Sequence, residues 1–326
     1  MGSPLIVFAT AYFGRSALEH VPADVKPCFS DDRSRLREAD AVVFHIPDFT
    51  YRRFGDTPKY PGQLWVAWSM ESDANYPLQV DPRFRRPFDL TIGYKRSADI
   101  WTAYLPALED WLNAQQFVQA PRQSAVPAVM FQSAPHNRSH RIEFATELMR
   151  HVRVDSYGRV LHNCDLDEAD RGTPTKMRVI GQYCFCLAFE NSISPDYVTE
   201  KLFQPLMAGT VPIYLGAANA HEFAPPHSFI RADGFGGAKG LAAYLHHLMT
   251  HPDEYGAYLA WRHRPLPDSL VALISRRRNE SVWRDLIERV AARRRQRLRA
   301  YPRFPFGYPA ALRARWLKCM SRARLS

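Results

Sequence analysis

No apolar run in this chain approaches the ~20 residues that a membrane-spanning helix needs. The opening MGSPLIVFATAYFG also has no basic segment ahead of its apolar residues, so neither a spanning helix nor a secretory signal is expected. Cysteine is sparse: Cys28, Cys164, Cys184, Cys186 and Cys319 form an odd, scattered set with no CxxC spacing. That fits a reducing compartment better than a disulfide framework, and the chain reads as cytoplasmic. Repeats of fixed short period are missing, and the only low-complexity stretch is Arg-rich. What is present is bulk, 326 residues of which 46% are hydrophobic, enough for a large core and for two domains rather than one.

Acidic residues run short at one end. From Arg276 to Ser326 there are fifteen arginines and one lysine against Glu280, Asp285 and Glu288, a net of +13, whereas the whole chain carries +10. Basicity is therefore a property of a C-terminal tail, not of the body, and such a tail addresses something polyanionic. Helical spacing runs through RRRNESVWRDLIERVAARRRQRLRA, and FPFGYPAALRARWLKCM mixes aromatics with arginine as interfacial membrane segments do. An anionic membrane surface is the expected partner, reached from the cytoplasmic side. Nucleic acid is a rival that is not expected, and a solvated end with no partner is the plain alternative.

Apolar strand-like runs alternate with helical patterns: PLIVFAT, AVVFHI, WVAWSM and LTIGY, then PAVMFQS, VRVDSYG, CFCLAFE and VPIYLG. Helices are expected over about 141–151, 196–208 and 239–249, with helix formers also across 166–182. This rhythm predicts parallel sheets with right-handed crossovers, the doubly wound α/β class. A helix-like stretch near 108–118 and the proline-containing APRQSAVPAV suit a linker. The predicted division is residues 1–121, residues 122–275 and a basic, partly helical tail over 276–326. Two Rossmann-like halves facing across a cleft would hold ligands at the carboxyl ends of their strands.

One such end carries an unusual polar load. CFCLAFE, an expected interior strand, runs directly into Glu190, Asn191 and Ser192, followed by Tyr197, Glu200 and Lys201. Ser194-Pro195-Asp196 reads as a helix start, whose amides with Lys201 would favour a phosphate. A carboxylate such as Glu200 among cations suits sugar hydroxyls. Cys184 and Cys186, two apart, are expected on one strand face as core residues. Asp165-Leu166-Asp167 has the look of a metal-binding DxD, but DLDEADRG is read as a polar loop leading into a helix.

FENSISPDYVTEKLFQPLMAGTVPIYLG closely resembles the motif of the family 10 glycosyltransferases, the α-1,3/1,4-fucosyltransferases, and nearly thirty ordered positions make it specific. WSMESDANYP, DLTIGYKRSADI and RSHRIEFATELMRHVRVDSYGR are similar to further family elements in the same order, so the resemblance spans roughly 65–230. It implies a GT-B fold of two Rossmann-like domains and an inverting transfer of L-fucose from GDP-fucose to a glycan hydroxyl. The expected acceptor is O3 of N-acetylglucosamine in a lactosamine unit, with O4 or a glucose as the alternatives. It further implies Glu71 as general base, Arg141 and Lys201 on the donor diphosphate, Glu200 on fucose, and Asn191 and Tyr197 in the donor pocket. No metal or cofactor is required, and a divalent cation is stimulatory at most.

The chemistry asks for the same groups. An acceptor hydroxyl attacking with inversion needs a carboxylate to take its proton, and a departing diphosphate without a metal needs cations and oriented amides. The chain departs from the family pattern in three places. Ser133-Ala134 stands where serine-asparagine is usual, WTAYLP replaces the usual proline-tyrosine-glycine after the aspartate-isoleucine pair, and Pro205 falls inside the helix after TEK. Asn137 and Asn279 lie in glycosylation-type triplets that are read as chance. The alternatives are a GT-B transferase of another nucleotide sugar and a catalytically silent nucleotide- or glycan-binding protein.

Overall fold

The structure is a computed structural model that describes residues 3–116 and 126–294. Contacts sort the chain into two compact units. One holds the residues up to Thr102 together with those from Arg278 onward, and the other runs Ala103–Arg277. The boundary expected near residue 122 falls outside the described residues.

Six parallel strands build the first unit: β1 (Ile6–Phe8), β2 (Phe29–Ser30), β3 (Ala41–His45), β4 (Leu64–Ser69), β5 (Leu90–Gly93) and β6 (Ile100–Trp101), in the order β2-β1-β3-β4-β5-β6. Layers cover both faces, which is why these strands read as continuous apolar runs rather than alternating ones. Val7, Val42, Phe44 and Trp65 pack on one face, and Ile6, Phe8, Val43, Val66 and Trp68 on the other. Full crossover helices are replaced here by 3-10 turns and by two four-residue helices, α1 (Tyr51–Phe54) and α2 (Pro82–Arg85). The chain changes direction across the sheet between β1 and β3, the switch point at which open α/β sheets bind ligands.

The second unit runs α3 (Leu108–Gln116), β7 (Ala128–Met130), α4 (Arg141–Leu148), β8 (Val154–Ser156), α5 (Thr173–Ile180), β9 (Phe185–Phe189), α6 (Glu200–Ala208), β10 (Val211–Leu215), β11 (Ile230–Arg231), α7 (Ala238–Thr250), α8 (Pro252–Ala257) and α9 (Asp268–Arg276). Its parallel strands lie in the order β11-β10-β9-β7-β8, with the switch point between β7 and β9. Phe185, Leu187 and Phe189 face α4 and α7, and Cys186 faces the cluster that holds Val179 and Ile180 of α5. Cys184 packs on the opposite side from Cys186, contrary to the expectation that they share a face, because Cys184 precedes the regular pleat of β9. Burial pushes the Cys186 thiol up to about 12, so it is an inert core residue.

A last helix, α10 (Val282–Arg294), belongs to the first unit. Trp283, Leu286 and Val290 occur at helical spacing and are all buried in the core beside Phe8, Phe29 and Trp68. Trp283 Nε1 also donates to the His20 carbonyl at 2.6 Å. The helical part of the basic tail is thus a structural layer of the body, with Arg284, Arg289 and Arg293 exposed; Arg284 meets Asp24 at 2.6 Å. Residues 295–326 lie outside the described residues. The two glycosylation-type asparagines have local structural work: Asn137 Oδ1 accepts from the Ile142 amide at the start of α4, and Asn279 Oδ1 accepts from Thr102.

Candidate active site

The polar load after β9 is organised around Glu190, whose side chain is fully buried. Its Oε1 accepts from the Thr199 amide at 2.8 Å and its Oε2 from the Thr199 hydroxyl at 2.9 Å. Thr199 in turn caps α6, accepting from the Lys201 amide and from Lys201 Nζ at 3.0 Å. The helix therefore starts at Glu200, not near Asp196, the start that Ser194-Pro195 predicts. Asp196 has φ of +65°, a conformation that cannot continue a helix, and an amide and carboxylate held by the Asn219 side chain. Pro205 sits inside α6, which continues to its Gly209 cap.

Gly216 shows how tightly this corner is filled. A Cβ there would lie 2.4 Å from the Tyr214 hydroxyl and 2.7 Å from Glu190 Cγ, which accounts for the glycine that closes VPIYLG. The Tyr214 hydroxyl accepts from the Ala217 amide at 3.2 Å, extending the network to the exit of β10.

Arg141, the first residue of α4, spans the switch point. Its Nη1 donates to the Phe189 carbonyl at 3.0 Å and its Nη2 to the Ala134 carbonyl at 2.9 Å, joining the exits of β9 and β7. A backbone carbonyl serves at position 134, so alanine suffices there. Arg141 is only 1% exposed, and its Nε has no hydrogen-bond partner among the described residues. In this conformation it supplies charge from beneath the strand exits rather than a surface contact. Ser139 Oγ donates to the Glu190 carbonyl at 2.5 Å, closing the same junction.

The charges act on one another. Burial pushes the Glu190 carboxyl up, opposed by the Lys201 ammonium at 3.6 Å and by the Thr199 donors. Burial would lower Lys201, but the charges of Glu190 and Glu200 outweigh it and hold the ammonium above the usual lysine range. Glu200, 41% exposed, would be raised by burial but is held below the ordinary carboxylate range by Lys201, 3.0 Å away. Burial also lowers Arg141 and Lys176, and Lys176 feels both Glu200 and Lys201. Two carboxylates and three cations leave one positive charge in excess, an arrangement suited to an incoming anion.

Of the residues singled out in this half, the fold brings together Arg141, Tyr197, Glu200 and Lys201. Tyr197 is 2% exposed and contributes to the electrostatic surroundings of Arg141. Asn191 adjoins Glu190 at the strand exit and accepts from Ser192 Oγ at 3.1 Å.

In the first unit, Glu71 follows β4 at the carboxyl edge of its sheet. Its backbone is fixed from both sides: the amide donates to Ser69 Oγ at 3.1 Å and the carbonyl accepts from Gln79 Nε2 at 2.9 Å. Burial, then the charge of Glu71, raises the phenols of Tyr12 and Tyr76. Tyr12 opens a tight turn closed by mutual Tyr12–Arg15 backbone bonds, with φ of +47° at Phe13 and +79° at Gly14. Asp48 Oδ2 accepts from the Phe13 amide at 2.8 Å and lies 2.6 Å from Nδ1 of buried His45. Phe13 is left 46% exposed beside Tyr12 at this sheet's switch point. A carboxylate next to aromatic faces is the composition of a sugar-binding edge.

Two family models match in tandem, "Fucosyltransferase, N-terminal" over residues 2–105 and "Glycosyltransferase family 10 (fucosyltransferase) C-term" over residues 121–301. The chain belongs to glycosyltransferase family 10. It is similar to the 4-galactosyl-N-acetylglucosaminide 3-alpha-L-fucosyltransferase of Homo sapiens, 33% identical over 82% of this chain and 75% of that protein. The human 3-galactosyl-N-acetylglucosaminide 4-alpha-L-fucosyltransferase is also 33% identical, over 77% and 69%. A solved α1,3-fucosyltransferase structure with GDP-fucose superposes with a TM-score of 0.59 at 17% identity, over 87% of this chain and 90% of that one. The enzyme is thus a fucosyltransferase, and its two parallel-sheet Rossmann-like units are those of the GT-B class.

Sequence reading of this fucosyltransferase passed over Glu190 as a working residue, along with Thr199 and Lys176. An acid ending a fully apolar run was a usable signal for Glu190. Lys176 sits in an ordinary polar stretch and reaches the site only through the fold, its ammonium 5.8 Å from the Phe131 ring centroid.

Proposed function

We propose that this fucosyltransferase transfers L-fucose from GDP-fucose to a glycan hydroxyl with inversion, forming an α-1,3 link to N-acetylglucosamine of a lactosamine unit. The observation that carries the donor assignment is the charge-paired cluster of Glu190, Glu200, Lys201 and Arg141 at the second sheet's switch point. The activities for which the relatives are named and the GDP-fucose in the similar structure support the donor and the acceptor class.

In the proposed step the acceptor oxygen forms its bond to the anomeric carbon as the bond to GDP breaks. Glu71 takes the hydroxyl proton, and the electron pair leaves with the diphosphate. Lys201 meets that negative charge directly, the N-terminal end of α6 and Arg141 add their fields, and Glu200 accepts from fucose hydroxyls. Asn191 and Tyr197 shape the pocket, and no metal is assigned a role.

GDP release measured with GDP-fucose and with GDP-mannose over a small acceptor panel tests this reading. Turnover with GDP-fucose and lactosamine is expected. Turnover with GDP-mannose alone would overturn the donor, and binding of GDP without turnover would favour a silent binding protein.

We further propose that the basic residues beyond α10 hold a cytoplasmic enzyme at an anionic membrane surface. Because α10 is part of the core, the informative truncation removes 295–326 and leaves α10 in place. Unchanged partition onto anionic vesicles after that truncation would remove the idea.

A further inference from the structure

We propose that the surface corner between α7 and α8 is a binding site for a divalent transition metal of the zinc class, formed by His247, His251 and Glu254. His247 and His251 are four residues apart, so they fall on one side at the end of α7. Their rings stack with centroids 3.8 Å apart and planes inclined by 22°. Glu254, in the first turn of α8, places both carboxylate oxygens 3.0 Å from His247 Nε2. One donor atom from each of the three lies within 4.8 Å of the other two, and no other such group occurs among the described residues.

Several features prepare this corner. Pro252 at the start of α8 restricts the backbone just after His251. His251 Nδ1 donates to the His247 carbonyl at 2.8 Å, which leaves that ring's lone pair on Nε2. Support of a ligating imidazole by a backbone carbonyl is the usual companion of metal binding. The terminal carbonyls of the thirteen-residue α7 favour a cation at this end. Two imidazoles and a carboxylate suit zinc, with a fourth position for water. Tetrahedral bonds of about 2.0–2.1 Å require donors about 3.4 Å apart. Binding requires side-chain rotation that closes this gap and turns the stacked rings toward a common point, which the surface exposure of His247 (41%) and Glu254 (54%) permits. The ion replaces the proton shared between His247 and Glu254.

This corner is distinct from the donor pocket. Tyr255 Oη donates to the carbonyl of Cys184, just before β9, whereas Glu190 follows the end of that strand. The metal would clamp α7 to α8 at the opposite edge of the sheet.

Calorimetric titration of Zn²⁺ into the metal-free, full-length protein is expected to show one ion bound at this corner. Glu254→Gln should weaken it at least ~tenfold, and the pair His247→Ala and His251→Ala should abolish it. Cysteines are competing zinc ligands, so Zn²⁺ uptake with unchanged affinity in the double variant would overturn the proposal. No uptake by the wild-type protein at a large molar excess would do the same. Should the double variant fail to fold, His247→Gln, which keeps the ring's approximate volume, is expected to weaken binding ~tenfold, and unchanged affinity there would contradict the site.

Discussion

Glu190 shows what a single buried carboxylate does at this strand exit. It pins the cap of α6 through two bonds to Thr199 and sits 3.6 Å from Lys201. Removing it leaves the Thr199 amide and hydroxyl without their acceptor in a buried corner and takes one of two counter-charges from Lys201. Glu190→Ala is expected to cost about 3–5 kcal/mol of stability in urea unfolding, and a loss below ~1 kcal/mol would mean that the corner relaxes freely. Lys201 and Glu200 give this cluster opposite pH signatures. The folded value of Lys201 is raised, so its contribution is complete below the ordinary lysine range and lost as pH climbs through the raised value. The folded value of Glu200 is lowered, so its contribution is present above the ordinary carboxylate value and lost as pH falls through the lowered one. Urea midpoints followed against pH should therefore flatten on the alkaline side in Lys201→Met and on the acid side in Glu200→Gln. Lys201 and Glu200 were legible because a long ordered motif carries them. Glu190 was visible only as an acid ending an apolar run, and its partners become apparent once the chain has turned back at Asp196.

Among the elements, the long apolar strands β3, β4, β9 and β10 were plain in the sequence because burial on both faces leaves continuous apolar runs. Two-residue strands such as β2 and β6 have no such run and escaped notice. The start of α6 was misplaced by a local signal, Ser194-Pro195, that lost to a tertiary one, the grip of Glu190 on Thr199. Helix α10 teaches the complementary lesson: its period was readable, but not the surface its apolar face meets. That face is the core of the first unit. Trp283→Ala is accordingly expected to cost about 3–5 kcal/mol in the unfolding of this unit. Truncation before α10 should expose Phe8, Phe29 and Trp68 and raise binding of a hydrophobic dye. A truncated protein with unchanged stability and dye binding would refute that packing.

At the scale of the whole molecule, the proposed mechanism divides its chemistry between the two Rossmann-like units. The second supplies an excess of positive charge around Glu190 and Glu200 at the exit of β9. The first supplies Glu71 with aromatic neighbours at the exit of β4. Recognition of the family rested on residues near the strand exits, where function constrains side chains, while the turn that exposes Phe13 had no motif to announce it. Phe13→Ala is expected to raise the acceptor KM several-fold and leave the donor KM unchanged, and equal effects on both would contradict an acceptor-side role. The central claim is that Glu71 removes the acceptor proton while the second unit holds the donor. Steady-state kinetics of Glu71→Gln with GDP-fucose and lactosamine test it most directly. The expected result is a kcat lowered by ~10²–10⁴-fold with the donor KM retained, and full activity in that variant would contradict the account.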